Sequence, residues 1–354
     1  MRLPRVKPGH EPFRTGPRTV RVGGDVYGVA AEITDPDGLA WAALTAMDGS
    51  RTAEDVVAAV LEAVPGATAA RARAVVRALV ASGHVEDAAA PPPPELSAPE
   101  LDRYSRTQAY YRHVDRTPRE HGWHAQLALR RSSVLVVGLG GTGGHAAWAL
   151  TAAGVGRLHC VDADVVELSN LSRQVLYDER DVGRPKAEAA LDRLRPVNSG
   201  VELTGERRRV TGPGDLAALA ADHDVLALCA DEPGGPDGIR AWADRTGKPW
   251  VGGGYHGPLV TVGVFAPGGP CHACLAAGEA ERVGSAPSGP RGAGATPASA
   301  GLSGLLTAQA VLTLLTGTPP LEPGYVHGLN LLAPGAPVYA RHPPRPGCGT
   351  CRAP

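Results

Sequence analysis

Lysine is almost missing from this 354-residue chain: of its 35 basic side chains only Lys7, Lys186 and Lys248 are lysines. Against 36 acidic residues the formal net charge is -1, which excludes a broad basic face and with it a nucleic-acid partner. Aromatic residues are scarce at 4%, with two Phe, so Val, Leu and Ala must build the core. Six cysteines in so long a chain exclude a disulfide scaffold. Long apolar runs are lacking too. The opening MRLPRVKPGHEPF has no apolar signal core, and the most apolar stretch, 301–317, is short and broken by Ser, Thr and Gln. A cytoplasmic protein without a membrane partner is expected.

What is present is a globular composition, 43% hydrophobic and 20% charged, long enough for two domains. The 46 Gly and 33 Pro show no collagen period and predict Gly/Pro-rich loops. Residues 19–33 alternate apolar and polar around Gly23-Gly24-Asp25, a β-hairpin pattern. Helical periods follow over 37–47, 52–64 and 69–82, the second opening on a Thr52/Asp55 capping pair. A small winged-helix-sized α+β domain is therefore expected over 1–87. The Pro-rich run 88–99 predicts a semi-rigid linker, and 100–354 a second domain.

After a charged helical segment near 100–130, that second domain opens with an apolar strand pattern over Ser133–Val137, a Gly-rich turn, a helix over His145–Ala153 and a strand over Arg157–Asp162. This is a βαβ unit and predicts a Rossmann-like, mostly parallel α/β sheet. Strands are expected at 201–205, 225–229, 250–253 and 259–265, the last antiparallel, and helices at 184–195, 213–222, 236–247 and 301–317. Residues 284–300 predict a flexible loop.

Gly138-Leu139-Gly140-Gly141-Thr142-Gly143 is a G-x-G-x-x-G turn in the strand-to-helix context where backbone amides and a helix N-terminus can hold phosphate. Asp162 ends the next strand, where a carboxylate can accept from ribose hydroxyls. Those residues alone suit an NAD-dependent dehydrogenase as well as an ATP enzyme. The residues downstream favour ATP: Asp164, Asn170, Arg173, Gly183-Arg184-Pro185-Lys186 and Cys229-Ala230-Asp231. Arg173 and Lys186 can neutralise a triphosphate, and Asp231 can hold Mg²⁺ against it. Two C-x-x-C pairs, Cys271/Cys274 and Cys348/Cys351, offer four thiolates for a closed, structural Zn²⁺ site. His272 reads as a bystander, and Cys160 and Cys229 as core thiols.

In order and spacing, the Gly-rich turn (Gly138, Gly140, Gly141, Gly143), Asp162-x-Asp164, Asn170-Leu-x-Arg173-Gln174, Gly-x-Pro-Lys186, Cys-x-Asp231 and the paired Cys-x-x-Cys resemble the ThiF/MoeB type of adenylating enzyme, relatives of ubiquitin-activating enzymes. The resemblance covers about 103–354. It implies an adenylyltransferase in which Asp162 binds ribose, Asn170, Arg173 and Lys186 bind phosphate, and Asp231 is the Mg²⁺-linked acid. Arg103-Tyr-Ser-Arg106 is similar to the segment whose second arginine reaches the partner's ATP site in a homodimer, which implies that role for Arg106. Residues 275–300 contain no cysteine, so no covalent acyl-enzyme is expected.

Residues 1–87, with Leu39-Ala-Trp41, Met47-Asp-Gly49 and Leu79-Val-x-x-Gly83-His-Val85, resemble PqqD-like leader-peptide-binding modules. Such a module before an adenylating domain is similar to the MccB/PaaA-type enzymes. That resemblance implies activation of a carboxyl group of a ribosomally made precursor peptide. The alternatives are an activator of a Gly-Gly sulfur carrier of the thiamine or molybdopterin type, and a non-catalytic leader-binding partner of a YcaO cyclodehydratase.

Overall fold

The computed structural model describes residues 1–230, 238–284 and 294–351. They fall into two compact units, Met1–Leu127 and Ala128–Pro354. The first runs β1 (Pro4–Val6), β2 (Phe13–Gly16), β3 (Thr19–Val22), β4 (Ala31–Thr34), α1 (Leu39–Ala46), α2 (Ala53–Ala63), α3 (Ala69–Ala81), β5 (Val85–Asp87), α4 (Ala98–Arg103), α5 (Ser105–Val114) and α6 (His124–Arg131), the helix in which the division falls.

The expected hairpin is present as β3 and β4, paired antiparallel from Thr19↔Thr34 to Val22↔Ala31, with β2 added on the other side of β3. Three helices carry their apolar stripes into one core: Leu39, Ala43 and Leu44 from α1, Val56, Val57 and Val60 from α2, Val76 and Leu79 from α3. The α2 start is a reciprocal cap. The Asp55 amide donates to Thr52 Oγ1 at 3.2 Å and the Thr52 amide to Asp55 Oδ2 at 3.1 Å.

The division between the units falls after Leu127, so residues 88–127 belong to the first. The Ala88 amide donates to the Leu3 carbonyl at 2.9 Å, and Leu96 and Tyr111 are buried. Lys7 Nζ donates to the Asp115 carbonyl at 2.6 Å, and His10 Nε2 lies 2.8 Å from the His113 carbonyl. The Pro-rich run is thus fastened down rather than spanning between units.

The second unit contains β6 (Ser133–Val137), α7 (Gly141–Ala153), β7 (Arg157–Asp162), α8 (Lys186–Leu194), β8 (Glu202–Arg207), α9 (Pro213–Ala220), β9 (Val225–Leu228), α10 (Ile239–Ala243), β10 (Trp250–His256), β11 (Leu259–Phe265), α11 (His272–Val283), α12 (Pro297–Thr316), β12 (Tyr325–Asn330) and β13 (Val338–Arg341). They form one eight-stranded sheet in the order β13-β12-β11-β10-β9-β6-β7-β8. From β10 to β8 the pairing is parallel, and β11, β12 and β13 extend it antiparallel. The Rossmann-like α/β expectation holds. The chain leaves β6 toward β7 and β8, then returns to β9 on the other side of β6. That reversal opens a crevice at the carboxyl ends of β6 and β9, where α/β folds bind ligands.

Helix α12 is longer than the sequence suggested. Pro297 occupies its first turn behind a Thr296/Ser299 cap, giving 20 residues. By length and composition it could cross a membrane. Instead it lies against α7 and β10, burying Ser303, Gly304, Thr307, Ala308 and Val311. Gly304 permits this approach, since a Cβ there would stand 2.4 Å from the Thr142 carbonyl oxygen.

Candidate functional site

The crevice is built on the Gly-rich turn. β6 ends at Val137, Gly138 takes φ +90°, and α7 starts at Gly141, four residues before the helix expected from its apolar residues. The glycines form the first helical turn themselves, and two of them have packing reasons. A Cβ on Gly143 would stand 1.8 Å from the Gly138 carbonyl oxygen, and one on Gly138 would stand 2.6 Å from the Ala230 nitrogen. The turn is therefore wedged against the end of β9, at the α7 N-terminus where an anion could dock.

Two groups hold the turn from the β7 side. The Leu139 amide donates to Asp162 Oδ2 at 2.6 Å, and the Asp164 amide donates to Asp162 Oδ1 at 2.8 Å. Each oxygen keeps a second lone pair for a hydroxyl donor. The Tyr177 hydroxyl donates to the Leu139 carbonyl at 2.9 Å, and burial pushes its pKa up, so it stays a neutral donor.

Lys186 starts α8 and is 7% exposed. Its Nζ lies 3.4 Å from Asp164 Oδ2, and Arg209 approaches the other oxygen of the same carboxylate at 3.4 Å. Asn170 is buried in the 3-10 turn Leu168–Ser172, its Oδ1 accepting from the Glu167 amide at 3.1 Å. Arg173 follows that turn. Its Nη1 donates to the Ser169 carbonyl at 3.1 Å and its Nε to the Tyr255 hydroxyl at 3.3 Å. Gln174, 5% exposed, has an Oε1 with no hydrogen-bond partner among the described residues. Its Nε2 lies 3.7 Å from where a Gly140 Cβ would stand. An orphaned buried amide beside an anion-binding turn fits a polar ligand that supplies the missing partner.

The structure thus gathers Gly138, Gly140, Gly141, Gly143, Asp162, Asp164, Asn170, Arg173 and Lys186 in the second unit. Asp231 lies outside the described residues, as does most of the 284–300 loop. Arg106 is exposed on α5 of the first unit. Three residues had been given no role. Gln174 belongs to the Asn-x-x-Arg-Gln run and could have been marked from it, whereas Tyr177 and Tyr255 stand in no motif. Cys160 is fully buried and its thiol is pushed up to about 12, as a core thiol should be. Cys229, one residue past the end of β9, is half-buried, and burial pushes its thiol up to about 12 as well.

The four cysteines of the paired motifs converge in the same unit, with their sulfurs within 4.8 Å of one another. Separations of 3.6 Å (Cys271–Cys274), 3.7 Å (Cys271–Cys348) and 3.6 Å (Cys274–Cys351) are far too long for disulfides. They match the roughly 3.8 Å edge of a tetrahedron with Zn–S bonds of about 2.3 Å. The donor set fits Zn²⁺ with no open position. Backbone amides of Cys351 and Thr350 pull the Cys348 pKa down to about 6, whereas burial pushes the Cys271 and Cys274 thiols up. His272 stays out of the cluster and packs edge-on to Phe265, ring centroids 5.7 Å apart.

Comparison with known proteins accords with this geometry. The profile of the ThiF family matches residues 110–350. The molybdopterin-synthase adenylyltransferase of Escherichia coli is 38% identical over 184 residues, 51% of this chain and 70% of that protein. The bovine adenylyltransferase and sulfurtransferase MOCS3 is 36% identical over 266 residues, 74% of this chain. The chain spans only 55% of the length of that second relative. Among solved structures, E. coli MccB superposes with a TM-score of 0.77 at 19% identity, covering 99% of this chain and 97% of MccB. PaaA gives 0.67 at 24% identity, covering 94% and 99%. At such identities the likeness is one of fold.

Proposed function

The chain belongs to the ThiF family, and from that premise we propose that it is an ATP-dependent adenylyltransferase acting on a carboxyl group of a ribosomally made precursor peptide in natural-product biosynthesis. The observation that carries the peptide reading is the extent of the fold likeness. The family profile starts at residue 110, whereas the likeness to MccB takes in nearly the whole of both chains, the first unit included. MccB has been crystallised with ATP and with its peptide MccA. The open β2 and β4 edges of the first unit offer a place for a leader to add as a strand, as in PqqD-like modules.

In the reaction a carboxylate oxygen attacks the α-phosphorus, the bond to the bridging oxygen breaks, and pyrophosphate leaves with the electron pair. Asp162 accepts from the ribose hydroxyls. The Gly140–Gly143 amides and the α7 N-terminus receive phosphate oxygens, while Asn170, Arg173 and Lys186 position and neutralise them. Lys186 must exchange Asp164 for phosphate, a short move for a side chain already held at the crevice. Arg106 of one protomer serves the triphosphate of its partner in a homodimer. Asp231 would hold Mg²⁺, which would supply further charge neutralisation. The four cysteines hold structural Zn²⁺, and their reduced state suits the cytoplasm.

A second reading, activation of a Gly-Gly sulfur carrier, is favoured by the 38% identity to the molybdopterin-synthase enzyme. ATP–pyrophosphate exchange by the full-length chain separates the two. Exchange driven by a short peptide translated from a neighbouring reading frame, and not by a Gly-Gly-tailed carrier, is the expected result. The reverse pattern would establish the second reading, and ATP binding without exchange would leave a leader-delivery scaffold.

A further inference from the structure

We infer that the phenolic hydroxyl of Tyr255 is the hydrogen-bond donor that holds the incoming carboxyl group against the α-phosphate. This rests on the adenylation reading above and gives that site its acyl-side contact. Strand order supplies the direction. The carboxyl ends run β7, β6, β9, β10 across the sheet. With ribose at Asp162 on β7 and phosphates at the turn after β6, the next places along the row, the ends of β9 and β10, fall to the acyl group.

β10 is built to reach that place. It pairs with β9 only through Gly252↔Leu228, while the strand itself continues to His256. Gly253–His256 therefore overhang the end of β9, beside the crevice. Gly253 and Tyr255 lie on one face of the strand. A Cβ on Gly253 would stand 1.8 Å from Thr307 Oγ1 and 3.1 Å from Thr142 Cγ2, so the overhang is pinned against α12 and α7. Two residues on, the Tyr255 hydroxyl stands 2.8 Å from where a Gly141 Cβ would be, against the first residue of α7.

Donor accounting sets the role of the hydroxyl. Arg173 Nε–H donates to the phenol oxygen at 3.3 Å. A phenol carries one proton of its own to give, and among the described residues that proton has no acceptor. The half-buried hydroxyl is thus oriented by a phosphate-binding arginine, with its donor facing the site unspent. A carboxylate nearing a phosphate is repelled. A neutral donor on the non-attacking oxygen offsets part of that repulsion and leaves the other oxygen free to attack. No proton is transferred: the attacking oxygen becomes the ester bridge, and the held oxygen becomes its carbonyl.

The test uses the full chain with three probes in calorimetry: Mg²⁺–AMPCPP and AMP, which have no acyl group, and glycylsulfamoyladenosine, a stable acyl-adenylate analogue. Tyr255→Phe keeps the ring and removes the hydroxyl. It is expected to bind AMPCPP within twofold of wild type and the acyl analogue about tenfold more weakly, the size of one lost hydrogen bond that leaves its partner unsatisfied. Unchanged affinity for the analogue, or a parallel loss on both probes, would overturn the inference. Wild-type protein that binds AMPCPP but holds the analogue no better than AMP would remove the adenylation reading itself. A wild-type preference for the analogue that survives in Tyr255→Phe removes only the role of the tyrosine. Tyr255→Ala separates ring from hydroxyl: the inference expects it to lose at least as much as the Phe variant on the analogue, and a milder loss counts against it.

Discussion

Replacing Gly143 by alanine should cripple nucleotide binding in a protein that still folds. The added methyl would lie 1.8 Å from the Gly138 carbonyl oxygen and 3.0 Å from Cys229 Cβ. A relaxed carbon–oxygen contact needs about 3.3 Å, so the carbonyl must retreat by roughly 1.5 Å. Overpacking of this kind costs about 1–3 kcal/mol, against which alanine returns up to about 1 kcal/mol of helix propensity. The net loss of about 1–2 kcal/mol should be tolerated by a domain of this size. The larger effect is local. Gly138 is the pivot of the turn, and shifting it carries the Leu139–Gly141 amides out of place. Each hydrogen bond lost between a backbone amide and a charged phosphate costs about 1.5–3 kcal/mol, roughly ten- to a hundredfold in affinity. Calorimetry with Mg²⁺–AMPCPP should thus show about a hundredfold weaker affinity, and urea titration a modestly lower midpoint. Gly214→Ala is the control. It lies in α9 with nothing within 4 Å of the new methyl, so stability should rise by about 0.5–1 kcal/mol with affinity unchanged. Gly143→Ala binding AMPCPP within threefold of wild type at unaltered stability would refute the close-packing argument.

Metal analysis of the purified chain should find one zinc per chain. Cys348→Ser should lose most of it and lower Tm, and a metal-free chain of wild-type Tm would count against the clasp. Thr52→Ala removes a reciprocal cap and should cost about 1 kcal/mol in urea unfolding. His10 is fully buried beside His84 and His113, and burial pushes its pKa down to about 4. Because the unfolded chain takes the proton first, its stabilising effect is complete above about pH 6.5 and is lost down to about pH 4, at most about 3 kcal/mol in all. His10→Gln should therefore flatten the fall in stability between pH 6.5 and pH 4, and an unchanged slope would show that the other buried histidines carry it.

The parallel core was readable where its strands are buried on both faces and apolar, as at 134–137 and Val225–Leu228. Ser133–Val137, Arg157–Asp162 and the antiparallel Leu259–Phe265 match the expected bounds. Short or half-exposed strands carry no such signal. β1 and β5 are three residues each, and β13, Val-Tyr-Ala-Arg, alternates only partly buried with exposed positions. The boundary expected at 88–99 rests on proline alone. Proline reads as a break in periodicity whether the chain crosses open space or is clamped along a surface. Here the run is held by contacts such as the Ala88 amide to the Leu3 carbonyl and Arg2 to the Ala89 carbonyl, more than eighty residues apart in sequence.

The site divides the same way. The side proposed for phosphate and ribose was legible because anion binding needs glycines, cations and an acid at spacings that a strand, a turn and a helix impose, and those spacings survive in the sequence as a pattern. The acyl side imposes no spacing. Tyr255 reaches the crevice because β10 overhangs β9, because Gly253 lets the strand lie against Thr307, and because Gly141 leaves room for the phenol. Each of these depends on an element distant in the chain, so the tyrosine looks in sequence like any residue of a β-strand. The nucleotide half answers to chemistry shared by every ATP-using relative, while the acyl half answers to one substrate. Residues that meet the acyl group are therefore to be sought among side chains that only the fold brings to the crevice, and Tyr255 is where that search begins.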